Sequence, residues 1–357
     1  MQPDLNVTDL KRRIARDIAL TLSGQARSEL LEPEIQASIA EEELGPLVWY
    51  LFQSNEVLVH KKKAIQTLAQ NELFLHERDR INATLSHGGI RPIWLKGSVL
   101  MGLYPHPTCR PMLDLDFWIQ GDERTVTRKL LETLSYLPEQ AHDRDYEVAH
   151  KIQSATTHHD VYFGGPGGHV QLEVHFELLS KIVAHEASYE RLRAEVNEQH
   201  PLLQLNTHAN LVYLSAHALL GHSEQELTLL RLLDVHLLIQ KQPPNWDACL
   251  ALAEQMGWDK AFKRMMHLCA TYFDSSIPAP YHNQFEPLSR FHPRTAKSLA
   301  RLKYLSLGQR AAYILTQLVP KPSYMRQRYG QGGLLRLYLR RWWHLIRTVT
   351  GNHKGLD

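Results

Sequence analysis

The stretch Gly164-Gly165-Pro166-Gly167-Gly168 constrains this chain more than any other five residues. Two runs of strand character flank it, THHDVYF (157–163) and HVQLEVHFEL (169–178). Glycine permits the tight turn, and β-branched or aromatic residues on both sides of it predict a β-hairpin. Side chains alternate across a strand. Val170, Leu172, Val174 and Phe176 therefore share one face of the second strand, and Gln171, Glu173, His175 and Glu177 the other. The same alternation occurs upstream in RPMLDLDFWI (110–119), where Leu115, Phe117 and Ile119 alternate with Asp114 and Asp116. It predicts a strand over 113–119. IRPIWL (90–95) reads as a further short, apolar strand.

On either side of these strands the periodicity becomes helical. LKRRIARDIALTL and KKKAIQTLAQNELFLHERDRINATL carry apolar residues at helical spacing, and His87-Gly88-Gly89 ends the second run. KGSVLMGLY (96–104) reads as a turn opening a short helix. PHPTCRP (105–111), with three prolines, reads as a loop, and TVTRKLLETLSYL (125–137) as an amphipathic helix. From about Lys181 the pattern is mostly helical, broken at Pro243-Pro244 and by prolines between 278 and 293. The expected fold class is α+β. A small mixed β-sheet core over 88–180 lies between an N-terminal helical region, 1–87, and a C-terminal helical region, 181–357.

Composition narrows the class of protein. Charged residues make up 22% and hydrophobic ones 43%, as in soluble globular chains. Cys109, Cys249 and Cys269 are odd in number and share no metal-ligand spacing, which argues against a disulfide framework. The first twenty residues mix acids and bases without an apolar stretch, so no signal peptide is expected. The longest apolar runs, such as LVYLSAHALLG, are too short to span a bilayer. The expected location is the cytoplasm. Charge is unevenly spread: from Arg290 to Asp357 there are fourteen Lys or Arg and one acid, which leaves 26 bases and 37 acids elsewhere. Such a basic tail suits nucleic acid or an anionic membrane surface, or packs against the acidic remainder of the chain. Its last helix, GLLRLYLRRWWHLIRTV (333–349), interleaves Leu, Tyr and Trp with Arg. That pattern suits an interfacial or nucleic-acid-binding helix, or one that docks its tryptophans into the helical region.

Three features between residues 95 and 175 share one chemistry. Lys96-Gly97-Ser98 directly follows a strand, Asp114 and Asp116 share a face of the next, and Glu173 faces away from the apolar side of a later one. Residues i and i+2 of a strand lie about 7 Å apart on the same side. Carboxylates that close raise each other's pKa unless a cation lies between them. Mg²⁺ takes oxygen ligands, typically one or two carboxylates plus substrate phosphates. A third carboxylate nearby can hold a second metal or accept the proton of an attacking hydroxyl. A Gly-Ser turn brings backbone N–H groups and a hydroxyl to phosphate oxygens. Asp114, Asp116 and Glu173 around Mg²⁺ or Mn²⁺, with Lys96, Gly97, Ser98 and Arg110 around an NTP, suit phosphoryl or nucleotidyl transfer. Each residue also has a plainer reading. The aspartates can be a solvated strand face, Gly97-Ser98 a helix cap, Lys96 a surface base and Arg110 a loop stabiliser.

With those residues in place, LKGSVLMGLYPHPTCRPMLDLDFWI resembles the signature of the nucleotidyltransferase superfamily that includes DNA polymerase β. The longer pattern LKG…LYP…RPM.D.D is similar to that of an uncharacterised bacterial nucleotidyltransferase family. There a strand like LEVHF (172–176) follows, then a helical H…H…R…D stretch matched here by His217, His222, Arg231 and Asp234. GPLVWYLFQ (45–53) fits the same pattern, so the resemblance covers roughly residues 40–240. Its third acid is Glu where Asp is commoner, and its gap from Ser98 to Asp114 is longer than usual. The resemblance implies metal-binding and catalytic roles for Asp114, Asp116 and Glu173. It also implies substrate-facing roles for His175, His217, His222, Arg231 and Asp234.

Read on their own, these last residues leave alternatives. His175 can touch substrate, orient Glu173 or be a hydrogen-bonded core histidine. His217 and His222 are five apart, whereas residues four apart meet on an α-helix, which argues against a zinc site. Arg231 and Asp234, three apart, suit a helical ion pair. His158-His159-Asp160 invites a similar zinc reading, and reads rather as an exposed strand end. The expected function is Mg²⁺-dependent transfer of a nucleoside monophosphate from an NTP to a hydroxyl. The acceptor is a small molecule, a protein or an RNA. Two alternatives share the fold: an RNA-directed nucleotidyltransferase toxin, and a non-catalytic nucleotide-binding regulatory protein.

Overall fold

The two alternating runs lie side by side. In the computed structural model, Leu115–Trp118 pairs in parallel with Val170–His175, and Asp116 is in register with Glu173. The structure describes residues 7–25, 28–138, 158–180, 189–198, 202–222, 224–282, 302, 306–320, 322, 325–326 and 332–350. Its helices and strands run in the order α1 (Val7–Leu22), α2 (Pro33–Glu41), α3 (Gly45–Phe52), α4 (Leu58–His87), β1 (Ile93–Leu95), α5 (Gly97–Leu100), β2 (Leu115–Trp118), α6 (Arg124–Thr133) and β3 (Leu137–Pro138). Then come β4 (His159–Gly164), β5 (Val170–His175), α7 (Tyr189–Arg193), β6 (Val196–Asn197), β7 (Gln204–Leu205), α8 (Thr207–Ala216), α9 (Leu229–Lys241), α10 (Trp246–Gln255), α11 (Asp259–Phe273), α12 (Leu307–Leu318) and α13 (Leu334–Thr350). The chain forms two compact units; the first contains α1 to α11 and the whole sheet, the second α12 and α13.

The fold is α+β, with one mixed sheet in the order β3-β4-β5-β2-β1-β7-β6. The glycine cluster turns β4 back onto β5 as an antiparallel hairpin, and Gly165, Gly167 and Gly168 all take positive φ there. Leu115, Phe117, Val170, Leu172 and Val174 form a dry face that packs on Phe74, Ile81 and Leu85 of α4 and Leu131 of α6. Asp116, Glu173 and His175 occupy the opposite face of the alternation.

Some boundaries differ from those the sequence suggests. Asp114 just precedes β2, and β1 is shorter than 90–95. The helix expected over 125–137 ends at Thr133, Ser135 takes φ +63°, and Leu137-Pro138 joins the sheet edge as β3. The two-residue strands β6 and β7 lie in a region that reads as helical; β7 pairs in parallel with β1. Pro287 and Pro293 lie outside the described residues, as does much of the basic stretch from Arg290. Among the described residues no helix is long and apolar enough to cross a membrane.

In the second unit, α13 buries Leu337 and Arg341 and exposes Leu335, Leu339, Trp342 (39%) and Trp343 (58%). Trp342 is held at its edge, where its indole N–H donates to the Leu318 carbonyl at 2.7 Å.

Helix α4 acts as a spine for the first unit. Its inward stripe, His60, Ala64, Thr67, Asn71, Phe74, Glu77, Ile81 and Leu85, repeats every three or four residues. Several polar members of α4 hold neighbouring segments. Asn71 Nδ2 donates to the carbonyls of Pro107 at 2.6 Å and Arg110 at 2.8 Å, pinning the proline loop. Arg78 donates to the Ser98 carbonyl at 2.9 Å, Asn82 accepts from the Trp94 indole at 3.0 Å, and Glu77 accepts from the Tyr136 hydroxyl at 2.8 Å.

Pinned there, Arg110 reaches α9. Its Nε and Nη2 donate to the two oxygens of Asp234, each at 2.8 Å, and the Tyr104 hydroxyl donates to the same carboxylate at 2.8 Å. The expected Arg231–Asp234 helical pair is replaced by this bond across the fold. Both partners are largely buried, so losing one leaves an uncompensated charge in a low-dielectric setting. Asp234→Ala is expected to destabilise the chain by about 3–5 kcal/mol. Urea unfolding checks this, and Asp234→Ala should cost clearly more than Asp274→Ala, which removes an exposed partner of Arg16.

Candidate active site

Three strands and one turn converge on the polar face of the sheet. β1 pairs antiparallel to β2 with Leu95 opposite Asp116, so the residue after Leu95 emerges beside that carboxylate. That residue is Lys96, with φ +48° and ψ −128°, a conformation L side chains rarely adopt. Its ammonium lies 2.6 Å from Asp116 Oδ1 and 3.6 Å from Glu173 Oε2. His175 Nε2 lies 3.0 Å from Asp116 Oδ1 and 3.5 Å from Glu173 Oε2. Asp116 is 1% exposed and His175 fully buried.

Burial of so much charge shifts each group. Burial alone would lower Lys96, but the pull of Asp116 and then Glu173 and Asp114 holds its ammonium above the usual lysine range. Burial likewise opposes the charged form of Glu173. The His175 hydrogen bond and the charge of Lys96 overcome it and keep this carboxyl well below the usual range. His175 is raised, its burial outweighed by Asp116 and Glu173. Asp114 goes the other way: burial, then repulsion from Asp116, pushes it up to about 7.

Asp116, Glu173 and His175 each offer a ligand atom within 4.8 Å of the others. Asp114 lies outside that tight group, although its charge acts on Lys96 and the charge of Asp116 acts on it. The donors fit a divalent cation. Two carboxylates present oxygen to one point, and a third, raised by burial and by the charge of Asp116, acts on the same group.

The glycine-serine turn is tightly enclosed. A Cβ on Gly97 would lie 2.5 Å from Arg110 Nη1 and 2.9 Å from Met112 Cγ, so this position admits only glycine without displacement. The Ser98 hydroxyl is buried and donates to the Leu95 carbonyl at 2.7 Å. Arg110 is engaged by Asp234 and so braces the turn from behind.

The helical H…H…R…D stretch is partly gathered at the same place. After α8 the chain continues as a π-helical turn, His217–His222, whose wider spacing brings the two rings together with centroids 4.9 Å apart. The five-residue spacing therefore does put them on one face, contrary to the α-helical expectation. His217 is lowered well below its usual value by burial and by the nearby positive charge of Lys96. The charges of His175 and Arg231 also reach it. Asp234 points instead to Arg110.

Three neighbours of the site are not evident from residue type alone. His158 and His159 are half-buried rather than an exposed strand end. Their rings lie 5.6 and 5.1 Å from that of His175, and Asp160 pairs with Arg124 at 2.5 Å. Counting pairs outward from the glycine turn, Gly164 with Val170, places His159 opposite His175, so the hairpin pattern contained this signal. Tyr213 on α8 also acts on Lys96, and only the fold reveals it.

Residues 31–274, about two thirds of the chain, match the model of a family described as uncharacterised nucleotidyltransferase. No curated protein and no solved structure matches.

The raised Asp114 carboxyl has a measurable effect on stability. Its folded-state value near 7 exceeds the ordinary aspartate value of about 3.9, so folding favours its protonated form. That contribution is present at acid pH and is lost as pH rises toward 7. Asp114→Asn, which is always neutral, should gain stability over the parent chain as pH increases from 5 to 7, and the difference should level off above. Thermal melts of the chelator-treated protein across this range test it; a constant difference would be the contrary result.

Proposed function

We propose that this chain, which belongs to the uncharacterised nucleotidyltransferase family, transfers a nucleoside monophosphate from an NTP to a hydroxyl of its acceptor. The observation that carries the reading is the register of Asp116 with Glu173 on adjacent parallel strands, with Lys96 and His175 against both. The resemblance to the DNA polymerase β superfamily supports the same reaction type.

Asp116 and Glu173 are the residues to hold Mg²⁺, with Mn²⁺ as the alternative ion. When bound, that ion supplies charge neutralisation on the phosphate oxygens. Glu173 suits a ligand because its neighbours keep it anionic. Asp114 suits proton transfer instead, since a carboxyl near 7 is matched to accept a proton at neutral pH. In the proposed step Asp114 takes the proton of the acceptor hydroxyl, and the oxygen forms a bond to the α-phosphorus. The bond from that phosphorus to the α,β-bridging oxygen breaks, and pyrophosphate leaves. Lys96 presents its ammonium to the phosphates, and His175 orients Asp116 and Glu173. Gly97 and Ser98 shape the turn, with Arg110 and Asp234 bracing it. His217, His222 and Arg231 border the site from the helical side, where the acceptor would lie. Most of the acceleration comes from placement and charge compensation.

A second reading rests on Lys96. Its ammonium already sits at 2.6 Å from Asp116, as a built-in cation would in a nucleotide-binding regulatory protein. Labelled NTPs, offered with Mg²⁺ and a cell extract, separate the two. Transfer of label to any acceptor supports the enzyme, and saturable NTP binding with no transfer supports the regulator. Asp116→Asn and Glu173→Gln are expected to reduce transfer at least 100-fold, on the order of losing one charge-stabilising group. Asp114→Asn should also slow transfer and remove its rise with pH toward 7. Unchanged NTP binding and transfer in the Asp114→Asn/Asp116→Asn double variant would refute the site.

A further inference from the structure

Beside the carboxylates the β4–β5 hairpin carries three imidazoles, and two of them have no role in the proposed transfer. His158, His159 and His175 each offer a ring nitrogen within 4.8 Å of the other two. His159 Nδ1 and His158 Nε2 are 3.2 Å apart, with the rings edge to face. The backbone holds this arrangement. His159 is the registered partner of His175, and the His158 carbonyl accepts from the Phe176 and Glu177 amides at 3.0 and 3.1 Å.

A second observation points to a ligand. His175 is fully buried and its Nε2 faces Asp116, yet its Nδ1 has no hydrogen-bond partner among the described residues. An orphaned ring nitrogen in a buried setting is costly unless something satisfies it. Imidazoles are ligands for Zn²⁺, Co²⁺, Ni²⁺ and Cu²⁺, whereas Mg²⁺ prefers carboxylate, carbonyl and water. Three protein nitrogens with an open fourth position are a common zinc arrangement.

We propose that His158, His159 and His175 bind one transition-metal ion of the zinc class, next to and distinct from the carboxylate set. His175 belongs to both sets, because its Nε2 contacts Asp116. An ion on the histidines therefore changes the charge and orientation of His175 beside Asp116 and Glu173, and so couples transition-metal level to the carboxylate site. The histidine site stands on the hairpin geometry and is independent of nucleotidyl transfer.

Cobalt is a suitable probe, because a four-coordinate nitrogen site gives strong visible bands and a six-coordinate oxygen site weak ones. The full chain, without a histidine tag and stripped with chelator, is titrated with Co²⁺ alone and then displaced with Zn²⁺. One equivalent with strong bands is expected. His158→Ala and His159→Ala should each weaken binding more than the roughly tenfold that loss of a ligand's supporting hydrogen bond costs. Asp114→Asn should leave it in place. His159→Gln, similar in size and still polar, guards against a folding defect, with circular dichroism as the control. The proposal is overturned by absence of saturable binding or by equal affinity in the histidine variants. Weak bands that vanish only in Asp116→Asn overturn it as well. None of these readouts depends on transfer activity.

Discussion

The parallel pairing of β2 with β5 puts Asp116 beside Glu173, and the polar side of the sheet is organised around that juxtaposition. Two carboxylates in register on a buried face repel, and in a low dielectric they cannot both stay charged without nearby positive charge. Lys96 and His175 supply it, at 2.6 and 3.0 Å from Asp116. The left-handed backbone of Lys96 fits this account. A conformation that costs on the order of 1–3 kcal/mol persists where the surroundings over-determine it, and here the surroundings are two carboxylates. Asp114, just outside the compensated group, is raised by its own burial and then by the charge of Asp116.

The apolar half of the same strands does the mechanical work. Leu115, Phe117, Leu172 and Val174 seat the sheet on α4, and α4 extends polar side chains to the stretch between β1 and the proline loop. Asn71 holds the proline loop, Arg78 the turn and Asn82 the β1 tryptophan. One helix thus fixes the stretch that runs from β1 through the turn to the proline loop, which helps keep a site on short strands in register.

What the sequence conveyed follows from range. Period-two alternation in Leu115 to Ile119 and Val170 to Phe176, and the glycines between β4 and β5, are local signals, and the faces and hairpin they imply are present. The α+β class follows from the same patterns. β6 and β7 are two residues long, too short for any periodicity to register, and they exist because β1 offers an open edge. The partner of Asp234 could not be read locally, since Arg231 lies at helical spacing and Arg110 lies 124 positions away. His217 and His222 meet only because the helix widens there, and a five-residue spacing gives no warning of a π turn. His159 was within reach of counting: the pairing that makes the hairpin also sets it against His175.

The Arg110–Asp234 pair also orders events in time. A ribosome presents the chain from its N-terminus, so Arg110 emerges long before the carboxylate that neutralises it. Until α9 arrives, a guanidinium destined for burial stays hydrated, while the proline loop it belongs to is held by its bonds to Asn71. Strand β5, with Glu173 and His175, also emerges before α9. The guanidinium is therefore neutralised late, after some two thirds of this sequence has been made, although the strands that carry the carboxylates precede it.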